Sequence, residues 1–231
     1  MSTIRKSPLQ RFRVTRLALL AVVAGALFAL PSSALATPTP EIISAPASYT
    51  VSGGSLTLSS PQLGTGTCES TSGSGEWSAA QSGRMNLTLK GCHYGAGIYC
   101  TTAGQAKGTI LANSLKTNLV WIDKAHTKAG VLLSAPTTVG PPPFYLEESL
   151  PFAEMSCDVV GTVKWTGSII AQISSPKVGQ EAKEWKLQFA PLYTQVEEAG
   201  PEHRLYQNGS ALGWSGETKM LFSQLKKLQG S

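Results

Sequence analysis

The sequence predicts an all-β fold, an antiparallel β-sandwich or barrel stapled by two disulfides, and three observations carry that prediction. Apolar and polar residues alternate with a two-residue period in several stretches, the mark of half-buried strands. Glycine, proline and asparagine punctuate those stretches as turn residues do. The third observation is an even set of four cysteines in a chain that opens like an exported protein. Helical patterns of crossover length are lacking, which disfavours a parallel α/β sheet.

The chain opens with a targeting pattern. Arg5, Lys6, Arg11, Arg13 and Arg16 precede an uninterrupted apolar run from Leu17 to Leu30, and small residues follow, ending in Ala34-Leu35-Ala36. This order predicts a secretory signal peptide over residues 1–36, cleaved after Ala36. The apolar run is shorter than the ~17–25 residues needed to cross a bilayer core as a helix, so a retained anchor fits less well. The general secretion route is expected, because no arginine pair is present. The full chain carries 19 Lys+Arg against 14 Asp+Glu, and all five charges before Ala36 are basic. Cleavage therefore leaves a mature chain of zero formal charge, with no electrostatic basis for nucleic-acid binding. Lys226-Lys227 reads as a solvated tail.

Residues 37–50, with Pro38, Pro40 and Pro46, read as an extended entry segment, and residues 51–231 as a single secreted β domain. Leu56 and Leu58 alternate with polar neighbours, as do Met85, Leu87 and Leu89, and Trp185, Leu187 and Phe189. Further strands are expected over 109–122, 130–134, 157–165, 168–174, 205–207 and 210–214. Asn208-Gly209 predicts a type I′ hairpin, which needs positive φ at both central residues. Gly140-Pro141-Pro142-Pro143 cannot continue a ladder and reads as a rigid surface connection. Residues 70–76 read as a flexible run containing Gly73-Ser74-Gly75. From Met220 to Leu228, the i, i+4, i+7 spacing of Leu221, Leu225 and Leu228 fits a short helix, while Met220 with Phe222 fits a final strand.

Cys68, Cys92, Cys100 and Cys157 allow three connectivities. The glycine-bearing stretch from Cys92 to Cys100 closes a short loop, which predicts that pair and leaves Cys68 with Cys157. His93 beside Cys92 suggests a metal, but the paired spacings of zinc sites are missing, so no metal or other cofactor is expected.

The catalytic inventory is thin. The histidines are His93, His126 and His203, and no G-x-S-x-G elbow occurs. Asp123 and His126 read as a polar turn. Glu147-Glu148 and Glu197-Glu198 are adjacent pairs that point to opposite strand faces, unsuited to a glycosidase dyad. Parity places Trp121, Trp165, Trp185 and Trp214 in the core. Trp77 after the flexible run, His93, Tyr94 and Tyr99 in the cysteine loop, and Phe144 and Tyr145 after the prolines remain as a candidate ligand surface.

Lys90-Gly91-Cys92, Cys100-Thr101-Thr102-Ala103-Gly104, Gly108-Thr109-Ile110 and Met155-Ser156-Cys157 ahead of residues 159–173 resemble a group of secreted, uncharacterised β-rich proteins of high-GC Gram-positive bacteria. The resemblance covers about half the mature chain and implies fold and location only. The expected role is a non-enzymatic extracellular module with a binding or structural task at the cell surface or wall, its partner a wall polysaccharide or a surface protein. The alternatives are a secreted hydrolase, or a subunit of a surface assembly joined through an exposed strand edge.

Overall fold

The structure, a computed structural model, describes residues 39–95, 97–139, 147–190 and 203–230. Residues 1–36, where a signal peptide is expected, Gly140 to Pro143, Phe144, Tyr145 and Glu197-Glu198 lie outside them. The described residues form one compact unit. Among the described residues there is no helix, and so none long and apolar enough to cross a membrane.

In chain order the strands are β1 (Pro40–Ile42), β2 (Ala47–Ser60), β3 (Gly64–Cys68), β4 (Ser70–Trp77), β5 (Ser82–Lys90), β6 (His93–Tyr94), β7 (Ile98–Thr101) and β8 (Ile110–Trp121). They continue as β9 (Ala129–Ser134), β10 (Thr137–Val139), β11 (Glu147–Ser149), β12 (Ala153–Cys157), β13 (Gly161–Ser175), β14 (Glu181–Phe189), β15 (Leu205–Gln207) and β16 (Ser210–Gly230). Every pairing is antiparallel, and the pairings close on themselves twice. One ring runs β2, β4, β5, β8, β9, β13, β14, β16 and back to β2. A second runs β2, β3, β6, β7, β12, β13, β15, β16 and back to β2. Of the expected sandwich or barrel, the fold is therefore a pair of closed barrels. They share three long strands, β2, β13 and β16, of 14, 15 and 21 residues.

Each shared strand changes partners where glycine relieves the bend. β13 leaves β15 at Gly167 and meets β9 from Ser168. Gly167 has φ +93°, and a Cβ there would sit 2.2 Å from the Arg204 carbonyl oxygen. In β16 the corresponding point is Gly216, with φ +143°. Such glycine bends let one strand turn a barrel corner without losing its ladder.

Inward positions alternate with solvent positions, as eight-stranded closure requires for a packed interior. In the first ring Tyr49, Trp185 and Phe222 cluster, with ring centroids 5.6 Å (Tyr49–Phe222) and 5.2 Å (Trp185–Phe222) apart. In the second, Trp165 and Trp214 meet edge to face at 5.7 Å. Phe189 of the first ring packs 5.5 Å from Trp214, joining the two interiors. Trp121, Trp165, Trp185 and Trp214 are all buried, as their parity predicts. Asn208 and Gly209 take φ +47° and +84°, and they join β15 to β16 as the I′ signal predicts.

Five expectations are corrected or resolved. The disulfides are Cys68–Cys92 and Cys100–Cys157, not Cys92–Cys100 and Cys68–Cys157. The reason is register: β3, β6, β7 and β12 are consecutive neighbours, and the cysteines form one row across them. Joining the middle two would strand Cys68 and Cys157 three strand spacings apart, roughly 12–14 Å and beyond the ~7 Å limit of a disulfide. Residues 70–76 are strand β4 rather than a flexible run; two of its inward positions, Gly73 and Gly75, carry no side chain and give no apolar signal. The stretch 157–165 is a hairpin, with β12 ending at Cys157 and β13 starting at Gly161. Met220 to Leu228 is strand, with Met220 and Phe222 buried and Leu221 and Leu225 exposed. Lys226 is also buried rather than part of a solvated tail, and its Nζ donates to the Ser44 carbonyl at 2.7 Å.

Candidate functional site

The four described aromatic and histidine candidates, Trp77, His93, Tyr94 and Tyr99, do not share one exposed face. Trp77 is fully buried and packs 6.3 Å from Tyr49 inside the first barrel. Tyr94 is buried in the second barrel, where its hydroxyl donates to Gln207 Oε1 at 3.2 Å. Burial raises the Tyr94 phenol's pKa and keeps it protonated. Both side chains are members of the buried core rather than of an exposed surface. Phe144 and Tyr145 lie outside the described residues.

Only His93 and Tyr99 meet, opposite each other on β6 and β7 with ring centroids 5.8 Å apart. His93 Nδ1 lies 3.0 Å from the Gly91 carbonyl and Nε2 lies 3.4 Å from Thr67 Oγ1. Lys107 Nζ stands 4.5 Å above the Tyr99 ring and 3.5 Å from Asp158. These groups contact one another across the disulfide row.

Asp123 and His126 form the expected turn. The His126 N–H donates to the Asp123 carbonyl, and the Asp123 carboxylate accepts from Thr127 and Lys128 backbone amides at 2.9 and 2.8 Å. Slight burial opposes ionisation of Asp123, but the hydrogen bonds from Thr127 and Lys128 outweigh it and lower the pKa. The His126 ring stacks on Trp121 at 5.1 Å.

His203 behaves differently. Its Nδ1 lies 2.8 Å from Ser168 Oγ, a serine that the sequence does not single out. His203, without Ser168, lines a cavity of about 380 Å³ together with Arg204, Leu205, Leu212 and Trp214. The Ser168 N–H, a natural oxyanion donor in acyl transfer, is already donated to the Arg204 carbonyl at 3.2 Å. The contact therefore ties the segment entering β15 to β13.

An open concavity lies on the outside of the first barrel, a trough of about 640 Å³ crossing β16, β2, β4, β5 and β8. Register builds it. Leu221 faces Thr50, Thr50 faces Ser74, and Ser74 faces Asn86, so these side chains form one row perpendicular to the strands. Asn86 Oδ1 accepts the Ser114 N–H at 2.6 Å, extending the row to β8. The adjoining row sets Ser48 against Glu76 and Glu76 against Arg84. Gly75 explains the depth between them. A Cβ there would fall 2.4 Å from Tyr49 Cζ, so β4 sits directly on the Tyr49 ring. The Tyr49 hydroxyl reaches beneath it to the Arg84 carbonyl at 3.2 Å.

Chemically the trough offers hydroxyls and an amide, groups that both donate and accept hydrogen bonds, beside one acid and one base. Among the described residues no cluster of three or more His, Cys, Asp or Glu is placed to hold a metal ion. No protein-family model, curated protein or solved structure matches the chain.

Proposed function

We propose that the chain is an exported, non-enzymatic binding module that holds a polymer of the cell surface or wall against the trough on its first barrel. The observation that carries this is the trough itself, a concavity built across five strands that joins hydroxyl, amide and charged side chains to Leu221 and the edge of Tyr49. Export is supported by the signal pattern of residues 1–36 and by two disulfides, which persist in oxidising compartments. The five strands beneath the trough are each paired on both sides, so binding there is by a face and not by strand addition. Filling the trough with Ser74→Arg should abolish retention of the purified protein on isolated wall material while leaving its thermal midpoint unchanged. Undiminished retention of that variant would overturn the proposal.

A secreted hydrolase centred on Ser168 and His203 is the second reading, and the 2.8 Å contact favours it. It requires that hydrolysis of p-nitrophenyl acetate by the purified protein exceed the background rate and disappear in Ser168→Ala. Equal rates for the two proteins would dismiss it.

A further inference from the structure

We infer that the occupant of the trough is a linear, uncharged sugar polymer lying across the strands, with roughly four rings held at once. This inference rests on the binding role proposed above and adds the chemistry and length of the ligand.

The lining discriminates between polymer classes. Thr50, Ser74, Asn86 and Ser114 carry side chains with no formal charge, each able to donate and to accept. A sugar hydroxyl has the same dual character, so each ring can satisfy and be satisfied by one row position. A polyanion presents acceptors and would meet the Glu76 carboxylate, with Arg84 directly opposite it keeping this rim balanced rather than basic. An extended peptide gains its affinity from backbone pairing at an open strand edge. Here the backbone groups below the row are committed to the ladders of β2, β4 and β5. Leu221, 39 % exposed, closes one end of the row with an aliphatic surface. It suits the apolar face of a sugar ring, as a charged side chain would not.

Length follows from strand spacing. Five strands give four intervals of ~4.8 Å, so the row runs ~19 Å along the curved outer surface of the barrel. One interval matches the advance of one ring in an extended sugar chain, which sets the count at roughly four. Because the row crosses the strands, each ring meets a new strand and one new polar side chain. Affinity should therefore grow by steps and then stop.

Isothermal titration of the purified protein with neutral linear gluco-, manno-, galacto- and chito-oligosaccharides of increasing length tests this directly, with polygalacturonate as the polyanion. At least one neutral series is expected to tighten with each added ring up to about the fourth and then level off. Asn86→Ala should weaken the longest member of that series by about tenfold, with circular dichroism unchanged. Affinity independent of length, tighter binding of polygalacturonate, or no binding by any neutral series would overturn the inference. If wall retention still depends on Ser74 when every neutral series fails, the binding role stands and the sugar assignment falls. If retention ignores Ser74, both fall.

Discussion

Removing Cys92 and Cys100 together separates the observed disulfide pairing from the short-loop alternative more cleanly than removing either bonded pair. The two bridges close loops with sequence separations of 24 and 57. In the chain-entropy treatment these contribute ~3.5 and ~4.2 kcal/mol, and the loops do not overlap, so the contributions add to ~7–8 kcal/mol. Cys68→Ala with Cys92→Ala removes one bridge and leaves Cys100–Cys157 intact. The expected loss is ~3.5 kcal/mol, or roughly 7–14 °C in thermal midpoint for a domain of this size. Cys92→Ala with Cys100→Ala removes one member of each pair. Cys68 and Cys157 are then left at opposite ends of the row, roughly 12–14 Å apart, unable to join. That variant should show two titratable thiols after unfolding under non-reducing conditions and roughly twice the loss of stability. Were it to show no free thiol and the smaller loss, Cys68 and Cys157 would be bonded to each other and the register across β3, β6, β7 and β12 would be wrong.

Three other outcomes follow from single side chains. Trp77→Ala should cost ~3–5 kcal/mol in urea unfolding, as a large buried ring does, without altering retention on wall material when assayed below its midpoint; a binding defect without destabilisation would return Trp77 to a ligand surface. Asn208→Ala should cost ~1–2 kcal/mol, since it forces alanine into a left-handed conformation and removes the acceptor of the Lys164 N–H, whereas Asn208→Gly should largely spare the turn; equal losses would deny the conformational cause. The Asp123 pKa is lower when folded, so its contribution is full above the unfolded carboxylate range and is lost as pH falls through the folded value. Asp123→Asn should therefore destabilise at neutral pH, and its gap from the parent should close on acidification; a gap that widens in acid would contradict the sign.

Much of the strand content was legible because half-buried strands write their period into the chain. Met85, Leu87 and Leu89 announced β5, and Trp185, Leu187 and Phe189 announced β14, through side chains facing one interior. β4 was hidden for the converse reason, since two of its inward positions, Gly73 and Gly75, are empty so that the strand can lie against its neighbours. The cysteine pairing was misjudged because chain distance favours the shortest loop, while strand neighbourhood decides which sulfurs meet. Ring closure was illegible too: nothing local in β13 shows that it pairs with β15 before Gly167 and with β9 after it. The trough suffers most from this, because Thr50, Ser74, Asn86, Ser114 and Leu221 become neighbours only through the registers of five strands.

The binding role of the trough is tested most directly by mapping backbone amide shifts of the isotopically labelled protein on titration with the neutral oligosaccharide that binds best. The shifts should concentrate at Thr50, Ser74, Gly75, Asn86 and Ser114, on the outer face of the first barrel. Shifts gathered instead around His93 and Tyr99, or around His203 and Trp214, would place the ligand elsewhere and contradict the account.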